Sequence, residues 1–318
     1  MRQLIRLYTM HFPLRKGKGY LVHRLVRHHV AVPGEVVESV VGSGYLMDLD
    51  LSDFVQRCIY FFGYYEEGLA RWLLAHLRPT DVFCDVGAHV GQYTLLAAKA
   101  VQPDGRVYAF EPEARNRRAL MRNIELNRLT NVRVFPSAVA DSMGVRTFFV
   151  HSAEDTAKTN WGVHSLRPEV SDFSSREETV SAVTLDSVLR EEGVFGRRIK
   201  GTSNERADVA GSSDPAGARL VIKIDVQGAE LLVLRGAQQA LRTPGCVVLF
   251  EAEERHASRF GYGTVELKRY VASLGYQLYK VQMAGRRLRL MQVDVEAREE
   301  GDMIVGLTCA EDRGDELG

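Results

Sequence analysis

The chain has 318 residues, 45% of them hydrophobic and 26% charged, with a formal net charge of zero. That composition supports a buried core and gives no global attraction to nucleic acid, and the four cysteines lie too far apart in sequence for a disulfide framework or a zinc cluster. No apolar run reaches the length of a membrane span and the N-terminus lacks a signal-like core, so a cytoplasmic protein is expected.

In chain order, residues 1–34 carry Arg2, Arg6, Arg15, Lys16, Lys18, Arg24 and Arg27 with no acid before Glu35, and read as a basic helical extension. Glu35 to Leu51 reads as two short strands around Gly42–Gly44, and Leu69 to Leu77 as a helix ended before Pro79. Residues 1–62 are taken as an N-terminal basic extension and cap, residues 63–318 as one α/β domain.

From Val82 the pattern sharpens. Val82 to Val86 is a buried strand, Gly87 and Gly91 bracket a turn, Tyr93 to Val101 is a helix, and Arg106 to Phe110 is a second strand that delivers Glu111. An acid about twenty residues past the first glycine suits a ribose diol. The turn reads Asp85, Gly87, Ala88, His89, Gly91 rather than G-x-G-x-x-G, and the acid at its start opposes a pyrophosphate, which argues against a dinucleotide. Ala114 to Leu126 is an amphipathic helix, Val132 to Val139 a third strand, Val145 to Val150 another, and residues 151–178 read as irregular. Leu185 to Arg190 is a short helix capped by Thr184 or Asp186. Residues 196–218 have the composition of a disordered insertion. Beyond it, LVIKIDV and CVVLFEAE are buried strands, Val265 to Leu274 is a helix, and Gln277–Val281 and Met303–Thr308 complete the strands, the last inserted antiparallel. The alternation implies a doubly wound, mainly parallel, seven-stranded Rossmann-like sheet with ligands at the strand C-termini.

The segments DVGAHVGQYT, AFEPEARNRRALMRNIELN, AVADSMG, TLDSVL, KIDVQGAELLVLRGA and VVLFEAE follow one another as in the FkbM family of S-adenosylmethionine-dependent methyltransferases, which the chain resembles over roughly Gly63 to Phe250. The resemblance implies a class I methyltransferase fold and O-methylation of a hydroxyl on a sugar, glycolipid or secondary metabolite. Asp85, Gly87, Ala88, His89 and Gly91 would shape the cofactor turn, Tyr93 and Thr94 open its helix, Glu111 hold the ribose, and Ser137 and Ala138 border the adenine. His89 stands where the family has Asn, and Gln227 where it has Glu.

For the reaction itself, Asp225 at the end of the fourth strand is the candidate base, and it also touches cofactor; Lys223, Glu251 and His164 join it as candidate catalytic residues. Trp161 is a candidate stacking platform for a sugar. No metal is expected, although Asp225 with Glu251 offers a divalent ion two carboxylates. The expected partner is a small-molecule or glycan acceptor, without nucleic acid. The competing readings are a non-catalytic nucleotide-binding Rossmann-like protein and an RNA methyltransferase drawing on the basic N-terminus.

Overall fold

The computed structural model describes residues 2–11, 35–42, 44–152, 164–168, 174–195, 218–284 and 287–308. Most of the basic extension, the 196–217 part of the expected insertion, Trp161 and Cys309 lie outside the described residues.

A twisted eight-stranded sheet organises the rest. Its central strands are β3 (Val82–Val86), β4 (Arg106–Phe110), β5 (Val132–Phe135), β9 (Leu220–Ile224) and β10 (Val247–Glu253), and its far edge is β11 (Tyr276–Ala284), β12 (Arg287–Gln292) and β13 (Glu300–Thr308). The order is β12-β11-β13-β10-β9-β3-β4-β5. β5, β4, β3, β9 and β10 run parallel, and β13 is antiparallel to both β10 and β11. β9 is buried at all five positions and β3 at four, as expected for parallel strands covered on both faces. The expected seven strands become eight because β12 folds back on β11 as an outer hairpin strand with mostly exposed side chains.

Two strand readings need correction. The expected strand Val132–Val139 breaks at Pro136, which has no N–H for the ladder; β5 ends at Phe135, and β6 (Ala138–Val139) leaves for a separate three-stranded sheet. That sheet adds β7 (Gly144–Ser152) and β8 (Ser174–Val183), paired antiparallel from Gly144↔Ala182 to Ser152↔Ser174. β8 lies partly inside the stretch read as irregular. Its first half, SSREE, is polar, and among its described side chains only Val180 and Ala182 are buried, so it carries little period-two signal.

The helices flank the sheet. α3 (Glu67–His76), α4 (Gln92–Ala100) and α5 (Ala114–Leu126) surround β3 and β4, while α6 (Leu185–Glu191), α7 (Glu230–Arg235), α8 (Gln238–Leu241), α9 (Glu254–Ser258) and α10 (Thr264–Ser273) follow in the second half. α6 is capped by Thr184, whose side chain accepts from Ser187 N at 3.1 Å.

Ahead of these come α1 (Arg2–His11), the hairpin β1 (Val36–Val41) and β2 (Tyr45–Asp50), and α2 (Phe54–Phe62). α2 was not anticipated. Asp53 caps its start by accepting from Gln56 N, and Gly63, in the left-handed region at φ 84°, ends it. Met47, Leu49, Ile59, Phe61 and Trp72 share one apolar cluster with Phe83, Val90 and Leu96, so the hairpin and α2 belong to the core beneath the sheet.

Two side-chain amides fasten this segment to the domain. Asn127 on the C-cap of α5 exchanges two hydrogen bonds with the backbone of Leu46, and Asn123 accepts from Asp48 N at 2.7 Å while donating to Val90 O at 2.9 Å. Asn123 is fully buried, so its removal leaves one N–H and one C=O without replacements. Asn123→Ala should cost about 2–4 kcal/mol in urea unfolding; a loss below about 1 kcal/mol would mean that water satisfies both groups.

Candidate active site

The C-terminal ends of β3, β4, β9 and β10 open into a cleft of about 1100 Å³, counted out to its mouth. The turn after β3 forms its floor. Gly87 has φ 82°, and a Cβ there would lie 1.9 Å from the carbonyl oxygen of Asp225, so the two strand ends approach as closely as bare backbone allows. Gly91, at φ 95°, sits against Leu120 in the same way. His89 adopts the left-handed conformation without being glycine, and its amide donates to Glu111 Oε2 at 2.8 Å. Glu111 Oε1 accepts from Glu113 N at 2.9 Å, so two backbone donors aim this carboxylate at the cleft. Burial pushes the Glu111 carboxyl up to about 7 against the pull of those two bonds.

The candidate cofactor residues divide into wall and support. Gly87, Ala88, His89, Tyr93, Glu111, Ser137, Ala138 and Asp225 line the cleft; Asp85, Gly91 and Thr94 do not. Asp85 is fully buried behind the turn, where it accepts from Thr94 Oγ1 at 2.6 Å and lies 3.5 Å from Lys223 Nζ. It therefore holds the turn from within. Ser137 shares a hydrogen bond with Ser181 at 2.7 Å, which ties this wall to the small sheet.

All four candidate catalytic residues, Lys223, Asp225, Glu251 and His164, line the same cleft. Lys223 Nζ is 3.5 Å from both Asp85 and Asp225 and donates to Gly87 O at 3.1 Å. Burial alone would lower the pKa of this ammonium, yet Asp225, Asp85 and Glu66 outweigh it and raise the pKa, so Lys223 stays charged. Gln227 Nε2 donates to Asp225 Oδ1 at 3.0 Å and to Glu251 Oε2 at 3.1 Å, bridging the two carboxylates. Burial, then the charges of Asp225 and Glu66, raise the Glu251 carboxyl well above its ordinary range. His164 is delivered by its neighbour Ser165, which pairs with the backbone of Phe149 and donates through Oγ to Gln227 O at 3.0 Å. Glu230 is a cap: its carboxylate accepts from Val226 N and Gly228 N and faces away from the cleft lining. Among the described residues no group of three or more His, Cys, Asp or Glu side chains is arranged to hold a metal ion.

Sequence reasoning missed Tyr65, Glu66 and Gln92 on the wall. Glu66 sits between α2 and α3 at φ 55° and accepts from Tyr93 OH at 2.9 Å; burial, then the charge of Asp225, push its carboxyl up to about 7. The one available signal was the break between two apolar helical runs at Gly63, since nothing local marks a left-handed glutamate.

A Methyltransferase FkbM domain matches residues 85–278, the span that contains the turn, Glu111 and the Lys223–Glu251 cluster. The 31-O-demethyl-FK506 methyltransferase FkbM of Streptomyces tacrolimicus is 32% identical over 169 residues, which cover 52% of this chain and 62% of that protein. Thus the chain spans less than two thirds of this curated relative. Among solved structures, an FkbM methyltransferase from Methylobacillus flagellatus is similar at a TM-score of 0.39 and 14% identity, over 72% of this chain and 44% of that one. An O-methyltransferase from Bacillus cereus in complex with SAH is similar at 0.39 and 11% identity, over 77% and 82%. Likenesses of that size bear on neither mechanism nor substrate. The family match spans well over half of the sequence, and the chain belongs to the FkbM family of S-adenosylmethionine-dependent methyltransferases.

Proposed function

We propose that the protein transfers a methyl group from S-adenosylmethionine to a hydroxyl oxygen of a sugar, glycolipid or secondary metabolite. The observation that carries this reading is the Asp225 carboxylate, lining the cleft with one oxygen beside Lys223 and the other on Gln227, next to Glu251. The name of the Streptomyces relative, which places its methyl on an oxygen, supports the choice of acceptor atom.

The donor set fits the cofactor. Glu111, held by His89 N and Glu113 N, keeps lone pairs for a ribose diol. Ser137, Ala138 and Val139 supply a mainly small and apolar border for an adenine ring. Lys223 is committed to Asp85, Asp225 and Gly87 O, which leaves the turn no cation for a pyrophosphate. When bound, S-adenosylmethionine supplies an electrophilic methyl group on a sulfonium.

The chain's own part is alignment and proton removal. Asp225 Oδ2 accepts the hydroxyl proton of the acceptor, while Lys223 beside it holds that carboxylate in place. Gln227 fixes the other oxygen, so the carboxylate cannot rotate away. Glu251, whose carboxyl is pushed upward by burial and by the charge of Asp225, stands beside it to hydrogen-bond an acceptor hydroxyl. His164 closes the same wall. A screen with methyl-labelled cofactor against glycans, glycolipids and hydroxylated metabolites tests the reading directly; transfer to nitrogen or to RNA alone would overturn it.

Three results are expected. Glu111→Ala should weaken S-adenosylhomocysteine binding at least about tenfold, the loss of a charge-assisted diol contact worth about 1.5–3 kcal/mol, in protein that is still folded; an unchanged affinity in calorimetry would make Glu111 a structural acid.

The pH dependence of binding has a definite sign. Glu111 and Glu66 titrate at about 7 in the protein alone, and hydroxyl or cationic donors from a ligand favour their ionised forms and lower both values. Binding of S-adenosylhomocysteine should therefore release protons near pH 7, and its affinity should rise between pH 6 and pH 8 by up to about tenfold per group. Calorimetry in buffers of different ionisation enthalpy reads the proton count, and proton uptake would contradict the assignment.

Asp225→Asn should lower turnover by about 10²–10⁴-fold, the range for a lost general base, while S-adenosylhomocysteine affinity changes by less than about twofold. Near-normal turnover would move the role to Glu251 or His164.

A further inference from the structure

Part of the cleft wall is built from outside the matched span 85–278. Tyr65 and Glu66 belong to the loop between α2 and α3, and the carboxamide of Gln92, at the start of α4, clamps that loop by accepting from Tyr65 N at 2.6 Å and donating to Tyr65 O at 2.9 Å. The clamp fixes where Glu66 points: its carboxylate accepts from Tyr93 OH and lines the cleft within electrostatic reach of Asp225 and Lys223.

Charge is out of balance there. Asp225, Glu66 and Glu251 line the cleft with Asp85 just behind it, and Lys223 is the one lysine or arginine among the described lining residues. Its contacts are taken by Asp85, Asp225 and Gly87 O, so the Glu66 carboxylate has a neutral hydroxyl as its hydrogen-bond donor. A separate feature of the same cleft also points to a polar ligand. The His89 ring lines it with a buried Nε2 that finds no hydrogen-bond partner among the described residues. One carboxylate short of a cation and one imidazole nitrogen short of a partner are complementary to an ammonium and a carboxylate carried by a single ligand.

Resting on the methyl-donor reading above, we infer that Glu66 binds the amino group of the donor's amino-acid end, so that the loop ahead of the matched span completes the cofactor site. Burial and the charge of Asp225 already push the Glu66 carboxyl up, and an arriving ammonium relieves that repulsion.

The test compares S-adenosylhomocysteine with its deaminated analogue, in which hydrogen replaces the amino group, by calorimetry on the full chain at pH 7.5. Wild-type protein should prefer the amino ligand by about tenfold or more, as for a charge-assisted contact in a desolvated site. Glu66→Gln should bring the two affinities within about twofold of each other while binding the deaminated ligand as wild type does. A preference that survives in Glu66→Gln overturns the inference, as does equal weakening of both ligands, which would mean that Glu66 only shapes the wall. Should Glu66→Gln fail to fold, Tyr93→Phe keeps the ring and releases the carboxylate from its anchor. It should lower the preference at least about threefold, and an unchanged preference would again overturn the inference. Wild-type protein that binds both ligands equally refutes the ammonium contact and leaves the donor reading standing; wild-type protein that binds neither refutes the donor reading itself.

Discussion

Everything at the working end of the sheet depends on one buried lysine. Lys223 is almost fully buried on the fourth central strand, and its ammonium meets Asp85 of β3, the carbonyl of Gly87 in the turn, and Asp225 beyond β9. A charge so placed is costly unless it is paired and hydrogen-bonded, and here both conditions hold. The same contacts draw the ends of β3 and β9 together until Gly87 has no room for a Cβ. The glycine in the turn, the acid at the end of β3 and the lysine in the middle of an apolar strand are thus one feature seen at three places in the sequence. Truncating the lysine would leave two carboxylates facing each other, which is why such a triad has to be kept or lost as a unit.

Around this anchor the protein carries carboxyls whose burial makes ionisation unfavourable. Glu66, Glu111 and Glu230 are each pushed up to about 7 from an ordinary 4.5. A carboxyl raised in the folded state contributes stability below the unfolded value, and that contribution is lost as the pH climbs through the folded one, here between about 4.5 and 7. At neutral pH the cleft is therefore held at some expense to the fold. Glu230 recovers part of it from the backbone amides of Val226 and Gly228. Glu66 and Glu111 face the cleft, where a ligand bringing positive charge and hydroxyls returns what the empty protein gives up.

How much of this could be read from the sequence follows from how local each signal was. The β3–α4–β4–α5 unit was legible almost to the residue, because its strands are continuous apolar runs, its turn demands glycines, and Glu111 sits where β4 must end. The cleft positions of Lys223, Asp225 and Glu251 follow from the same logic, as polar residues near the ends of buried strands. What escaped was non-local. The departure of β6 from the main sheet depends on where β8 lies, and β8 shows too little alternation to announce itself. The outer strand β12 needs β11 as its template and is exposed on most of its residues. Asp85 and Thr94 were expected against the cofactor and instead brace the turn from behind, since a sequence does not say on which side of a one-layer wall a side chain falls. Glu66 was hidden most deeply, for its placement rests on a left-handed backbone and a clamp from Gln92, twenty-six residues away.

Gln227 shows how the cluster tolerates its own charge. Its backbone is left-handed at φ 57°, and its amide reaches both Asp225 and Glu251, so one neutral side chain donates to two carboxylates that would otherwise only repel. A glutamate at this position, as the family resemblance would have it, brings acceptors where donors are needed and adds a further negative charge beside Glu66 and Glu251. Lys223 is already committed to Asp85 and Asp225, so nothing among the described lining residues would offset that charge. Such a glutamate could sit here only protonated or against a cation brought by the ligand. With glutamine the two acids stay fixed before any ligand arrives: Asp225 beside the lysine, and Glu251 beside His256, with its carboxyl raised by burial and by Asp225. That single amide holds both side chains in one orientation, so the cleft presents their remaining oxygens to hydroxyl groups from fixed positions.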